Sequence, residues 1–457
     1  MSRRAVVTAV VAVAFGIGVW LHVSGFNGPS YAPWQWLRRG GIVSIALWFF
    51  LAAAPALIAQ SGAVRPRSLA VAMAAVSAVA LQLASLARAG QPPLERLAMQ
   101  VRDPVNISYF TAAQQVADLQ QRRPELALAP HFDRLIGFFP MHARTKPLLP
   151  VLIYVTLLRT FGAVAPIAAG VFVAVMTAAS IVAMFFAARE VSGAAAAVIA
   201  SSLLALMPGV ALFFPHFDVF YPIFTCGLIV TWLRALRGSA VSAGLFGLIV
   251  FAMTLMSYSL LVLGVFCGAL AIFEMLRSRL PARVLTACGI AIGVVIACSI
   301  VLKLSTGYAA GATFLAALTQ QNEILPRLHR PYPLTIPFDL LDFALGAAWA
   351  PAVAALLFVA RRERSAATAV AIAGLLTPCV VALTGLLQAE TARVWIFLMP
   401  FLALPAAMEM VRWRPAERLL VVSSMVFVTI ALYANMHLMW ARPTDGSFRR
   451  IPIASRR

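Results

Sequence analysis

Apolar runs separated by short polar breaks fill most of this chain. Runs long enough to cross a bilayer, about 17–25 residues, lie near 5–23, 41–60, 68–88, 163–187, 193–212, 218–236, 239–256, 259–276, 284–304, 338–360, 367–387, 394–411 and 416–437. The pattern predicts an all-α, polytopic membrane protein with about thirteen transmembrane helices. The runs lack the period-two alternation of a membrane barrel. Pro and Gly gather at run ends, as in Pro208-Gly209, where a helix must stop. The apolar stretch 147–160 is short for a crossing and is read as re-entrant or partly inserted.

One polar interruption, from Gln91 to Lys146, departs from this pattern. It is too long for a simple tether and carries Asp103, His131, Asp133, His142, Arg144 and Lys146. Pro104 suits the first turn of a helix. Ile107, Phe110, Ala113, Val116 and Leu119 recur every three residues. Tyr109 falls with Asn106, Ala113 and Val116 on one helical face. Segment 104–121 is therefore expected to be an amphipathic interfacial helix. Spacing alone favours Asp103 as its N-cap over a catalytic carboxylate, and the two roles are compatible.

Composition fits the pattern. The 457 residues are 62% apolar and 11% charged, whereas soluble domains carry about 25% charged residues. The length is accounted for by one transmembrane domain over 1–457. A net charge of +20 raises nucleic acid as a partner, but the arginines lie between apolar runs. There they set topology and meet anionic lipid headgroups, so no nucleic-acid partner is expected. Arg3, Arg4, Arg65, Arg67, Arg234, Arg237, Arg277, Arg279, Arg283, Arg361, Arg362, Arg364, Arg412, Arg414 and Arg418 all fall on one side if the N-terminus is cytoplasmic. The basic tail 438–457 then lies outside. The first apolar run lacks a convincing cleavage site and is read as an uncleaved span.

With this orientation the outward segments carry acids: Asp103 and Asp133 in the large loop, then Asp218, Glu323 and Glu390. Asp339 lies just inside the following span. That outer face is where chemistry is expected. Asp218 sits at a span edge, as a functional acid or as the N-cap of the next helix. Arg393 faces outward, where the positive-inside bias gives it no role. Its guanidinium suits phosphate oxygens, or it pairs with Glu390 at three-residue spacing. The 305–337 segment (Tyr308, Gln320, Gln321, Asn322, Glu323, Arg327, His329, Arg330, Tyr332) suits a sugar or headgroup and equally an interfacial aromatic belt. His131, Asp133 and His142 do not have the spacing of a metal site. The five cysteines, Cys226, Cys267, Cys288, Cys298 and Cys379, form no metal or disulfide pattern. No cofactor is expected, and the sequence leaves the need for a metal open. Asn106-Ile107-Ser108 is a formal glycosylation sequon, a frequent chance match.

Asp103 ahead of Tyr109, then His142-Ala143-Arg144-Thr145-Lys146-Pro147-Leu148-Leu149-Pro150, then Leu157-Leu158-Arg159-Thr160-Phe161-Gly162 together resemble the opening of the GT-C integral membrane glycosyltransferases. The protein O-mannosyltransferase and aminoarabinose-transferase branch is the nearer likeness. The family often shows Asp-Glu where this chain has Asp103-Pro104, and two spans (1–67) precede its usual first one. Residues 68–437 would then form the GT-C-like core.

The resemblance implies a glycosyltransferase that moves a sugar from a polyprenyl-phosphate donor to a lipid, glycan or protein acceptor. Its site would lie on the extracytoplasmic side of the cell membrane. Asp103 would be the general base, with inversion at the anomeric carbon, and Asp218 a second acid. Lys146, Arg393 and Arg144 would bind the donor phosphate, and Tyr109, His142 and His216 the substrate. The rival readings are a transporter or lipid flippase, and a non-catalytic assembly subunit sharing the fold.

Overall fold

The computed structural model describes residues 2–28, 34–62, 64, 66–87, 91–105, 107–278, 280–324, 326, 330–388 and 390–439. Arg65, Asn106, Arg279, Arg327, His329 and the tail from 440 onward, all named above, lie outside the described residues.

Among the described residues the chain is mostly helical, with one antiparallel pair of two-residue strands. The first helices are α1 (Arg3–Trp20), α2 (Ile42–Gln60) and α3 (Arg67–Leu86). The polar interruption holds α4 (Pro93–Arg102), α5 (Ser108–Arg122) and α6 (Phe132–Leu135), followed by α7 (Leu148–Phe161). Then come α8 (Ala165–Ser192), α9 (Ala194–Leu206), α10 (Pro208–Leu212), α11 (Pro222–Leu236), α12 (Ala240–Met256), α13 (Gly264–Ser278) and α14 (Pro281–Thr306). The chain closes with α15 (Ala310–Ile324), α16 (Thr335–Gly346), α17 (Ala350–Val359), α18 (Ala366–Thr384), α19 (Thr391–Val394), α20 (Pro400–Met410) and α21 (Pro415–Asn435).

Among the described residues, nine segments are long and apolar enough to cross a membrane, or ten if α16 and α17, bent by 110°, make one span. The protein is thus a multi-pass membrane protein, but the expected thirteen spans are not all met. Three predicted spans are realised as shorter apolar helices, Ala194–Leu206, Ala240–Met256 and Ile396–Met410. The cause is local in the first of them, where Pro208 begins a new helix inside the apolar run.

Contacts at the helix ends sort the bundle into two ends. At one end the Ser2 amide meets Glu417, Gly62 lies against Pro415, and Arg4 and Arg361 both reach Glu409. Arg234 and Arg237 meet Glu190 there, and a groove lined by Arg237, Arg277 and Ala366 joins the two groups. The basic clusters therefore gather at one end, as their alternation along the sequence predicts. At the other end β1 (Gln35–Trp36) pairs with β2 (Met436–His437), Tyr433 donates to the Ala87 carbonyl, and Gly307 packs on Pro130.

The polar interruption folds onto this second end. α5 buries Phe110, Ala113, Val116 and Leu119, the three-residue stripe seen in the sequence. It starts at Ser108 rather than 104, however, and Ile107 is its N-cap. Asp103 instead ends α4, so the N-cap expectation for it is overturned. α7 and α8 together make one of the nine candidate segments, Leu148–Ser192. Lys146, just before α7, bonds Ser257, while Arg159, near the finish of α7, bonds Gln120 of α5 at 2.6 Å.

Candidate functional site

Four chain segments converge at the second end. The first is the turn between α4 and α5. The Asp103 amide closes α4 onto Met99 (3.0 Å), its carboxylate accepts the Val105 N–H (2.8 Å), and its carbonyl accepts Ile107 N–H (2.8 Å). Such a side-chain turn is what Asp favours outside helices. Asp103 is only 1% exposed.

The second segment links α10 to α11. His216 N–H bonds the Phe213 carbonyl at 2.9 Å, and a 3-10 turn runs from Phe217 to Phe220. Asp218 sits half-buried in that turn among buried neighbours. It does not cap α11, whose N-cap is Tyr221; the Asp218 carbonyl accepts the Tyr221 N–H instead. Phe217 stacks on Tyr154 of α7 (ring centroids 5.2 Å) and on Tyr109 of α5 (5.6 Å). This aromatic stack fixes α5, α7 and the Asp218 turn to one another. The Tyr154 hydroxyl is buried and has no hydrogen-bond partner among the described residues. A buried hydroxyl left so costs about 1–3 kcal/mol.

The third segment leads into α7. Lys146 Nζ donates to Ser257 Oγ at 2.7 Å, and Ser257 bonds Ser259 at 2.7 Å. Burial pushes the Lys146 ammonium below its usual pKa, an effect that Asp218 opposes and Arg393 reinforces. His142 bonds the backbone of Val105 and is pushed down to about 4, chiefly by burial and then by Arg393. It is therefore neutral at pH 7. His216 is lowered for the same reasons. Burial raises Tyr109, and Asp218 adds to that. Arg144 points elsewhere: its Nε donates to the Phe139 carbonyl at 2.5 Å, closing its own loop.

The fourth segment is the α18–α20 connection. Arg393, with its side chain 12% exposed, pairs with Glu390, so the three-residue pairing is present. Arg393 chiefly holds the Glu390 carboxyl below its usual range, with His142 and Arg330 adding to this. Arg393 also acts on Asp218, His142, His216 and Tyr109. Its helix is held from beneath by Asp342, which accepts Ala392 N–H (2.9 Å), Thr391 Oγ1 (3.3 Å) and Trp34 Nε1 (2.8 Å). Gly209 and Gly346 press on the Ala392 backbone. A Cβ on Gly346 would lie 2.7 Å from the Ala392 oxygen.

The structure thus brings together Asp218, Lys146, Arg393, His142, His216 and Tyr109 of the residues named from sequence. Asp103 borders them through Val105, and Arg144 does not point among them. Sequence reasoning missed Tyr154, Ser257, Asp342 and Trp34. Only Asp342 left a signal, an acid inside an apolar run. Among the described residues no three His, Cys, Asp or Glu side chains gather as a metal site would. Two cations beside carboxylates and an aromatic platform are suited to holding a phosphate next to a hydroxyl-bearing molecule. The chain matches no family model and no curated protein sequence.

Proposed function

We propose that this protein is a membrane glycosyltransferase that moves one sugar from a polyprenyl-phosphate donor to an acceptor hydroxyl at the extracytoplasmic surface. The observation that carries the reading is the convergence of Lys146 and Arg393 on Asp218, beside the stack of Phe217, Tyr109 and Tyr154. The acceptor oxygen attacks the anomeric carbon as the bond to the lipid phosphate breaks. The departing phosphate is stabilised by Lys146 and Arg393, and a carboxylate takes the acceptor proton. A single displacement inverts the anomeric centre. The Tyr154 hydroxyl and neutral His142 and His216 are available to sugar hydroxyls. In this reading the chain crosses the membrane thirteen times, counting the bent pair and the three shorter apolar helices. The basic end is cytoplasmic.

The resemblance assigns the proton to Asp103, with Asp218 binding the acceptor. The exposure of the two acids favours a second assignment, with Asp218 as base. Asp103 is nearly inaccessible and its carboxylate already accepts the Val105 N–H, whereas Asp218 is half-buried and within electrostatic reach of both cations.

The test is incubation of the purified protein with labelled polyprenyl-phosphate sugars and membrane extract, following the label. Transfer to a covalent product is expected, and loss in either Asp103→Asn or Asp218→Asn identifies the base. Undiminished transfer in both variants would overturn the site. Flux into liposomes with no covalent product would establish a transporter instead.

A further inference from the structure

A second feature at the same end shares no residue with the Asp218 cluster. A cavity of about 650 Å³ opens between the start of α2, the end of α3 and Tyr433 of α21. Its rim carries Arg38, which is exposed, and Arg39, whose guanidinium lies 4.3 Å over the Tyr433 ring. No acidic residue is among its described lining residues, so the field there is positive. Its walls are apolar: Ile45, Trp48 and Phe49 of α2 line it. Trp48 is 59% exposed, and Val43, Leu47, Phe50 and Leu51 of the same helix are also open. An apolar helix with this much exposed hydrocarbon faces lipid, and Trp48, in its second turn, offers an acyl chain a broad apolar face. The amino-terminal turn of α2, at Gly41 and Ser44, opens into the same cavity. Its partial positive charge adds to that of the two guanidinium groups.

We propose that this groove binds an anionic phospholipid, with its phosphate between Arg38 and Arg39 and an acyl chain along Ile45 and Trp48. The two features answer different parts of one molecule: the cations select the phosphate, and the wall that opens to the bilayer selects the chain. A free phosphate would use only the first. The proposal does not depend on the glycosyltransferase reading. The groove ties α2, which lies outside the GT-C-like core expected from the sequence, to α3 and α21.

The test uses the full-length protein in a neutral detergent, with binding followed by native mass spectrometry. The probes are dioleoylphosphatidylglycerol, dioleoylphosphatidylcholine and inorganic phosphate. Phosphatidylglycerol is expected to bind in preference to phosphatidylcholine, with no retention of inorganic phosphate. Arg38→Ala should weaken phosphatidylglycerol binding about fivefold, the worth of one cation at a membrane surface. Because Arg38 is exposed, the thermal midpoint without lipid should not move, which guards against a folding artefact. Trp48→Ala should weaken both lipids and leave their ratio intact. Equal binding of the two lipids, retention of inorganic phosphate alone, or an unchanged affinity in Arg38→Ala would each overturn the proposal.

Discussion

The two ends of the bundle are built from the same arginines and carboxylates, yet they close them differently. At the basic end two acids are wrapped by donors. Glu409, 0% exposed, receives Arg4, Arg361 and the Trp413 indole. Glu190 receives both Arg234 and Arg237. These pairs join helices distant in sequence: α1, α17 and α20 at Glu409, α8 and α11 at Glu190. At the other end Lys146 and Arg393 both act on Asp218 without an ion-pair contact to it; Lys146 turns to a serine, and Arg393 pairs with a Glu390 side chain that is 43% exposed. A closed ion pair fixes a bundle, whereas an open constellation keeps its charges for another molecule. Ion pairing as such therefore does not mark function; the exposure and number of groups around each carboxylate do.

Exchanging one acid at each end breaks this comparison most sharply. Asp218→Asn should cut sugar transfer by about 10²–10⁴-fold, the range of a lost proton acceptor, and leave the thermal midpoint nearly unchanged. Glu409→Gln should do the reverse. Removing one partner of a buried pair costs about 3–5 kcal/mol. Arg4 and Arg361 are partly exposed, so about 2–3 kcal/mol of unfolding stability is expected to go. A residual activity that tracks only the folded fraction would fit. If Asp218→Asn unfolds the protein as readily as Glu409→Gln, the distinction between the ends is wrong.

Much of the candidate site could be read from sequence because membrane chains are poor in polar groups. When the background is apolar, Asp218, Lys146, His142 and Arg393 stand out, and outward placement of Arg393 is itself a signal. What failed was local grammar with two possible readings. Pro104 after Asp103 reads as a capped helix start, but Pro92-Pro93 carries the same signal eleven residues earlier and takes the helix. Asp103 then closes a turn, and the next helix waits until Ser108. The span count failed for a related reason, since length in apolar residues alone does not register that Pro208 restarts a helix. The pairing of Asp342 with Trp34 was invisible for a different reason, although Asp342 itself stood out as an acid inside an apolar run. Their bond joins residues far apart in the chain, and nothing near either position announces the other.

A smaller effect should come from the packing beneath Arg393. Gly346 lets α16 lie against the Ala392 backbone, and Ala there would force the two apart. Overpacking of this kind costs about 1–3 kcal/mol. Because the displaced element carries Arg393, Gly346→Ala should also weaken donor binding, seen as a raised KM with a smaller change in kcat. A lowered thermal midpoint with unchanged KM would show that α19 does not position the site.

Acid should act on the open end before the closed one. His142 titrates near 4 in the fold and near 6.5 when unfolded, so between these values the unfolded chain binds more protons. Stability attached to this group is complete above about pH 6.5 and declines as pH falls toward 4. His216 is shifted the same way and acts in the same direction. His142→Gln should therefore flatten, without abolishing, the fall of the thermal midpoint across that window. An unchanged slope would mean that His142 is solvated rather than held neutral by burial and Arg393.

The smallest effect belongs to an ion pair that looks, by distance alone, as good as any. Glu363 and Arg412 pair at the basic end through two contacts, and the cation holds the carboxyl below its usual range. Both side chains are about two-fifths exposed, 42% for Glu363 and 40% for Arg412. Water solvates them nearly as well when they separate, and salt screens what attraction remains. Glu363→Gln should leave the thermal midpoint within measurement error and insensitive to ionic strength, although Glu409→Gln removes the same chemical group a short way along the same face. If the two substitutions cost the same, burial is not what separates structural pairs from incidental ones in this bundle. The contrast between its ends would then have to rest on charge count alone.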